Sequence, residues 1–127
     1  MLLFQVVVYR PGSQSVTTSF FAEISTLFEP LVTYSLPVII TGDVNIHFER
    51  SKDSDTMKLV QILDSFDFEQ FVKSPTHDLG GFLDVVIAQT DLVPEDVTVT
   101  DVGLSDHMLV TWSINLAPPI PEYTKSF

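Results

Sequence analysis

Apolar positions along the chain change period several times, and each change marks an element. Met1-Leu2-Leu3-Phe4-Gln5-Val6-Val7-Val8 is a nearly unbroken apolar run that reads as a strand beginning near residue 4 and closing with Gln5 to Tyr9. Arg10-Pro11-Gly12-Ser13-Gln14 then breaks it as a loop. Phe20, Ile24, Leu27, Phe28 and Leu31 recur at three- and four-residue spacing. They predict a helix from about Phe20 to Val32 with one buried face, capped by Ser19 and ended by Pro30 and Pro37. Pro37-Val38-Ile39-Ile40 is β-branched without polar interruption, as in a strand covered on both faces. A second helix is predicted from about Thr56 to Phe66, capped by Ser54 or Asp55, with Leu59, Ile62, Leu63 and Phe66 turned inward. Short strands follow at Phe68–Val72, Phe82–Ile87, Val97–Val102 and Met108–Ile114. The order β-α-β-α-β-β-β-β predicts a mixed α/β fold with both helices on one face of the sheet. An apolar first strand at a domain edge would be a bare edge that invites pairing.

The chain has 127 residues, enough for one domain. Its hydrophobic content of 45% indicates a packed globule and not a disordered segment. It has no cysteine, which excludes disulfides and thiolate metal sites and fits a reducing, intracellular setting. No apolar run approaches the ~20 residues of a membrane span, and the first residues lack the basic start and cleavage site of a signal peptide. Residues 1–116 are expected to form the domain, and 117–127, with Pro118, Pro119 and Pro121, a Pro-rich tail or linker. The net charge of −11, from 17 acidic residues and 6 Lys and Arg, argues against a simple nucleic-acid binder, because phosphate affinity comes mainly from basic side chains.

Candidate chemistry gathers where strands are expected to end. Thr41-Gly42-Asp43-Val44-Asn45-Ile46-His47 leaves the central strand, with Gly42 expected to turn the chain sharply and Asp43 and Asn45 placed just past the strand. The same residues are turn formers, so alone the stretch also reads as an ordinary turn. Tyr9-Arg10-Pro11 ends the first strand, Pro75-Thr76-His77-Asp78-Leu79-Gly80-Gly81 leads into Phe82-Leu83-Asp84, and Ser105-Asp106-His107 precedes the last strand. Asp84 is a carboxylate in an apolar strand and needs a partner. His107 is the natural one, because an Asp–His pair fixes the imidazole tautomer and raises its basicity. Asp43 and Asp106 then remain for a hard cation, which takes oxygen ligands. His77 reads as a solvated loop residue.

Gly42-Asp43-Val44-Asn45, Gly81-Phe82-Leu83-Asp84 and Ser105-Asp106-His107, in this order, resemble the endonuclease/exonuclease/phosphatase superfamily, which includes DNase I, the apurinic endonucleases and the endonuclease domains of non-LTR retrotransposons. Tyr9-Arg10-Pro11 and the run Thr76 to Gly81 are most similar to the retrotransposon enzymes. The resemblance spans about residues 4–116 and implies the C-terminal half of a DNase I-like four-layered α/β sandwich, a mixed sheet with two helices. It implies that Asp43 and Asn45 align the attacking water and contact the scissile phosphate, that Tyr9 hydrogen-bonds that phosphate, and that His107 is the catalytic histidine oriented by Asp84. It makes Asp106, with Asp43, a ligand of Mg²⁺, or alternatively Mn²⁺, and gives Thr76 and Ser105 supporting places. Gly12 stands where apurinic endonucleases carry a phosphate-binding Asn.

By the same resemblance, a first half would bring an Asn and a principal metal-ligand Glu, and no residue before Tyr9 matches them. The expected activity is therefore Mg²⁺-dependent phosphodiester hydrolysis of DNA, impaired in this chain alone, with Val6, Val8, Val38, Ile40, Val85 and Ile87 expected to line a poorly covered sheet face. The alternatives are a non-catalytic remnant or interaction fragment and a phosphomonoesterase of the same superfamily. Implied partners are DNA, a complementary N-terminal half and a reverse transcriptase in a longer chain, with a nuclear location for a retrotransposon-derived protein.

Overall fold

A computed structural model describes residues 3–12, 15–33, 36–101, 103 and 107–114. Along the chain run β1 (Phe4–Tyr9), α1 (Thr18–Leu31), β2 (Val38–Asp43), α2 (Ser54–Ser65), β3 (Phe68–Gln70), β4 (Asp84–Gln89), β5 (Glu95–Thr100) and β6 (Leu109–Ser113). The main sheet has the order β1-β2-β4-β3. β1 and β2 are parallel, so the chain must cross over between them, and α1 is that crossover. β4 runs antiparallel to both β2 and β3. β5 and β6 form a separate antiparallel hairpin. β1 lies at the edge of the main sheet, the apolar edge that the sequence marks as one inviting a partner.

Helix starts lie a little earlier than the periodicity places them. Thr17, not Ser19, caps α1, its hydroxyl accepting the Phe20 N–H at 3.2 Å. Asp53 holds the corresponding place before α2 without a side-chain cap hydrogen bond, and the Thr56 hydroxyl ties the first turn to the His47 carbonyl at 2.8 Å. β2 extends through Gly42 and Asp43, past the predicted end at Ile40. Gly42 does not turn the chain there. It lies within the strand at φ +136°, and a Cβ on it would sit 1.9 Å from the Val8 carbonyl oxygen. The glycine is required by the close approach of β1, and the chain departs from the strand only at Asn45, at φ +50°.

Alternation along the strands divides the core in two. Phe21, Ile24, Phe28 and Leu31 of α1 and Leu59 and Leu63 of α2 bury Val38, Ile40, Val85 and Ile87. Phe28 packs near Phe66 and Phe68, with ring centroids 5.7 and 5.2 Å away. On the opposite face Ile39, Val86 and Ala88 are covered by Val97 and Val99 of β5 and Val110 and Trp112 of β6. The described chain is thus three layers, helices on sheet on hairpin. This corrects the expectation of a bare face at Val6, Val8, Val38, Ile40, Val85 and Ile87. The last four are fully buried and Val6 and Val8 pack beside them, because that is the face the amphipathic helices seek. Open apolar surface occurs instead on the other side of β1, where Val7 is 72% exposed. Ile40→Val should therefore cost about 0.5–1.5 kcal/mol, while Val7→Thr should stay within about 0.5 kcal/mol. Urea unfolding of both variants decides this, and equal costs would mean that the helix face is not sealed.

Candidate functional site

The strand register builds the site. Tyr9 of β1 pairs with Asp43 of β2, and Asp43 pairs with Asp84 of β4. Residues paired side by side project to the same face, so one tyrosine and two carboxylates form a row across three strands. All three alternate with helix-facing Val8, Gly42 and Val85, which puts the row on the hairpin side. Tyr9 is 73% exposed at the outer end of the row, open to a ligand.

The hairpin delivers the histidine to this row. His107, two residues before β6, has Nδ1 2.9 Å from Asp84 Oδ2 and Nε2 3.5 Å from Asp43 Oδ2. The expected Asp84–His107 hydrogen bond is present, and the ring lies between the two carboxylates. Thr76 ties the strand and the hairpin together. Fully buried, it accepts the N–H groups of Leu83 and Asp84 on its hydroxyl at 3.0 and 3.1 Å, and its carbonyl accepts the Met108 N–H at 2.8 Å. His77 is not a solvated loop residue. It is half-buried, bridges backbone-to-backbone with His107, and stacks edge-to-face on that ring with centroids 5.1 Å apart. The lone Thr-His pair before two glycines carried no signal that its loop would fold back onto the hairpin.

Asn45 sits beside the row. Its N–H donates to Asp43 Oδ1 at 2.9 Å, and its side-chain amide donates to the Arg10 carbonyl at 3.2 Å. Gly12 lies against that amide, 2.9 Å from a Cβ position to Asn45 Oδ1. Arg10, which the sequence placed in a loop, is buried against the same turn. Asp106 and Ser105 lie outside the described residues. A second clip holds the approach to Asp84: Glu49 accepts from the Phe82 N–H at 2.9 Å and pairs with His47 at 2.8 Å. Burial alone would raise the Glu49 carboxyl, but these hydrogen bonds outweigh it and hold it below its ordinary value.

Asp43 is pushed above its ordinary value of 3.8 by burial, with the Asp84 charge adding to this and the Asn45 N–H, His107 and Arg10 opposing it. The folded state therefore binds that proton more tightly than the unfolded chain, so the group's contribution to stability falls as pH rises through its folded pKa. Asp43→Asn should raise the melting temperature at neutral pH, and the gain should vanish below pH 3.8, where both states are protonated. Thermal melts across this range check it, and a variant less stable at neutral pH would contradict it.

Asp43, Asp84 and His107 can bring one ligand atom each within 4.8 Å of one another, a cluster able to hold a metal ion. Two carboxylates facing each other, one of them with its charge disfavoured by burial, suit a hard divalent cation. A cleft of about 730 Å³ between the end of β1 and the first turns of α1 reaches Tyr9 and Arg10 but none of these three residues. Among the described residues no helix is long and apolar enough to cross a membrane.

Residues 3–111 match the family model described as endonuclease-reverse transcriptase. This chain belongs to that endonuclease family. Members of the family act on nucleic acid and are generally metal-dependent. The fold is that of the DNase I-like endonucleases: the endonuclease domain of TRAS1, a telomere-specific non-LTR retrotransposon, superposes with a TM-score of 0.70 at 17% identity. That match covers 87% of this chain and 56% of the TRAS1 chain, so this chain spans little more than half of that domain. No curated protein matches it in sequence.

Proposed function

We propose that this chain is the C-terminal half of a Mg²⁺-dependent phosphodiesterase domain that nicks DNA. The observation that supports it best is His107 set between Asp84 and Asp43 at one end of the sheet. A hydrogen bond from Nδ1 to Asp84 leaves Nε2 turned toward Asp43, the arrangement of an oriented general acid–base. In this reading water attacks phosphorus in line with the leaving oxygen. Asp43 and the His107–Asp84 pair take the water's proton and supply one to the departing oxygen. Asn45 and Tyr9 hold the phosphate. Asp43 and Asp106 would hold the metal, with Asp84 close enough to take part. Bound Mg²⁺ supplies charge stabilisation on the phosphate oxygens. Residues 117–127 would link this domain to the next, a reverse transcriptase in a longer chain.

The −11 charge favours a second reading, hydrolysis of a small phosphate monoester, which needs no basic surface. The discriminating experiment offers the chain a labelled duplex oligonucleotide and p-nitrophenyl phosphate in parallel, each with Mg²⁺ and with chelator. Mg²⁺-dependent strand cleavage supports the endonuclease, whereas release of p-nitrophenol without strand cleavage would reverse the order of the two readings. Neither activity, with Mg²⁺ failing to raise the melting temperature, would leave the non-catalytic fragment.

A further inference from the structure

We propose that Arg10 is a positioning residue of the site, a clamp that holds the Asp43–Asn45 turn and so aims the Asn45 amide. The proposal rests on the reading of Asp43 and Asn45 as site residues for its functional meaning, though its geometry stands without it. Arg10 follows an edge strand and precedes Pro11 and Gly12, where an arginine would ordinarily be solvated, yet it is only 9% exposed. A buried guanidinium must spend its donors on acceptors in a matching geometry.

The acceptors it takes are consecutive. Nε donates to the Val44 carbonyl at 2.8 Å and a terminal nitrogen donates to the Asn45 carbonyl at 2.7 Å. The Arg10 N–H donates to the Asp43 carbonyl at 2.9 Å, and the Arg10 carbonyl accepts from the Asn45 side-chain amide at 3.2 Å. One residue thus grips each of residues 43, 44 and 45. Carbonyls of successive residues alternate in direction along an extended chain. Here those of Val44 and Asn45 both reach one guanidinium, which fits the turn of the backbone at Asn45, at φ +50°. Asparagine tolerates that region better than most residues, and the clamp fixes the turn there. The guanidinium carbon in turn lies 5.8 Å from the centroid of the Phe20 ring, so the first turn of α1 backs the clamp. The planar fork matters as much as the charge. A lysine ammonium is a point charge without fixed paired donors and cannot serve both carbonyls in the same way.

The experiment is residue-resolved hydrogen exchange by NMR on the 127-residue chain, so it requires no catalytic activity. Arg10→Lys should lower protection of the Asn45 backbone and side-chain amides by about tenfold or more, while Ile39 and Val86 in the sheet keep theirs. Uniform loss across the chain, or an unchanged Asn45, would overturn the proposal. If Arg10→Lys does not fold, Phe20→Leu removes the backing ring together with its edge contact to Phe21, and should give a smaller loss that is greatest at the same turn. In the unsubstituted chain the Arg10 Nε–H should show a scalar coupling to the Val44 carbonyl carbon across the hydrogen bond, and its absence would also overturn the clamp. Intact clamping together with failure of the nucleic-acid assays would count against the proposed function and not against the role of Arg10.

Discussion

Supercoiled plasmid incubated with this chain and Mg²⁺ should relax slowly, and with His107→Ala it should not relax above the rate without protein. The slow rate follows from what lies within the 127 residues. The chain spans 56% of the TRAS1 endonuclease domain, and by family resemblance the remainder would bring a Glu ligand to the metal. Losing one such preorganised electrostatic contribution typically costs about 10²–10³ in rate. The acidic surface weakens DNA association further. The histidine effect follows from geometry. His107 touches both carboxylates, at 2.9 and 3.5 Å, so alanine removes the proton carrier and leaves Asp43 and Asp84 facing each other unbridged. General acid–base groups contribute about 10²–10⁴, enough to take a slow reaction to background. Robust nicking by the unsubstituted chain, abolished by His107→Ala, would show that this half suffices. Robust nicking that survives the substitution would remove His107 from the mechanism.

The sequence carried the pairing chemistry better than the chain path. Asp84 was legible because a carboxylate at the start of Val85-Val86-Ile87 must find a partner, and the second half of the chain offers a histidine, His107, beside the last strand. Local signals did not reveal which surfaces meet. β5 and β6 show the right alternation, but alternation does not say which sheet face a hairpin will cover, and the open face expected at Val38, Ile40, Val85 and Ile87 is the one the helices bury. Gly42 looks like a turn glycine, whereas the reason for it is the Val8 carbonyl on a neighbouring strand, 34 positions earlier in the chain. The burial of Arg10 is hidden for a related reason. Its acceptors are backbone carbonyls of residues 44 and 45, and no side-chain pattern marks a carbonyl as available. His77 meets His107 only because the Thr76 loop and the hairpin close on each other.

Thr76→Val should cost about 2–4 kcal/mol, while Thr76→Ser should cost about 1 kcal/mol. Valine keeps the shape of threonine, so no cavity opens and the loss is that of the hydroxyl alone. That hydroxyl accepts two N–H groups, of buried Leu83 at 3.0 Å and half-buried Asp84 at 3.1 Å, with Thr76 itself fully buried. Each donor left without a partner away from water costs about 1–3 kcal/mol, the half-buried one less because water can reach it. Serine keeps the acceptor and gives up one buried methyl group, worth about 0.8 kcal/mol. In a domain of this size the valine change corresponds to a fall in melting temperature on the order of 10 °C. The effect should also reach the site. Thr76 holds the Asp84 N–H on its hydroxyl and the Met108 N–H on its carbonyl, so both members of the Asp84–His107 pair hang from one loop residue. In Thr76→Val the nitrogen shifts of the His107 ring should move away from the pattern of an Nδ1 donor held by a carboxylate, and in Thr76→Ser they should stay. Denaturant unfolding and ring-nitrogen NMR at one pH read both effects. Equal stabilities for the valine and serine variants, with the His107 ring unchanged in each, would mean that water replaces the hydroxyl and that Thr76 does not hold the pair.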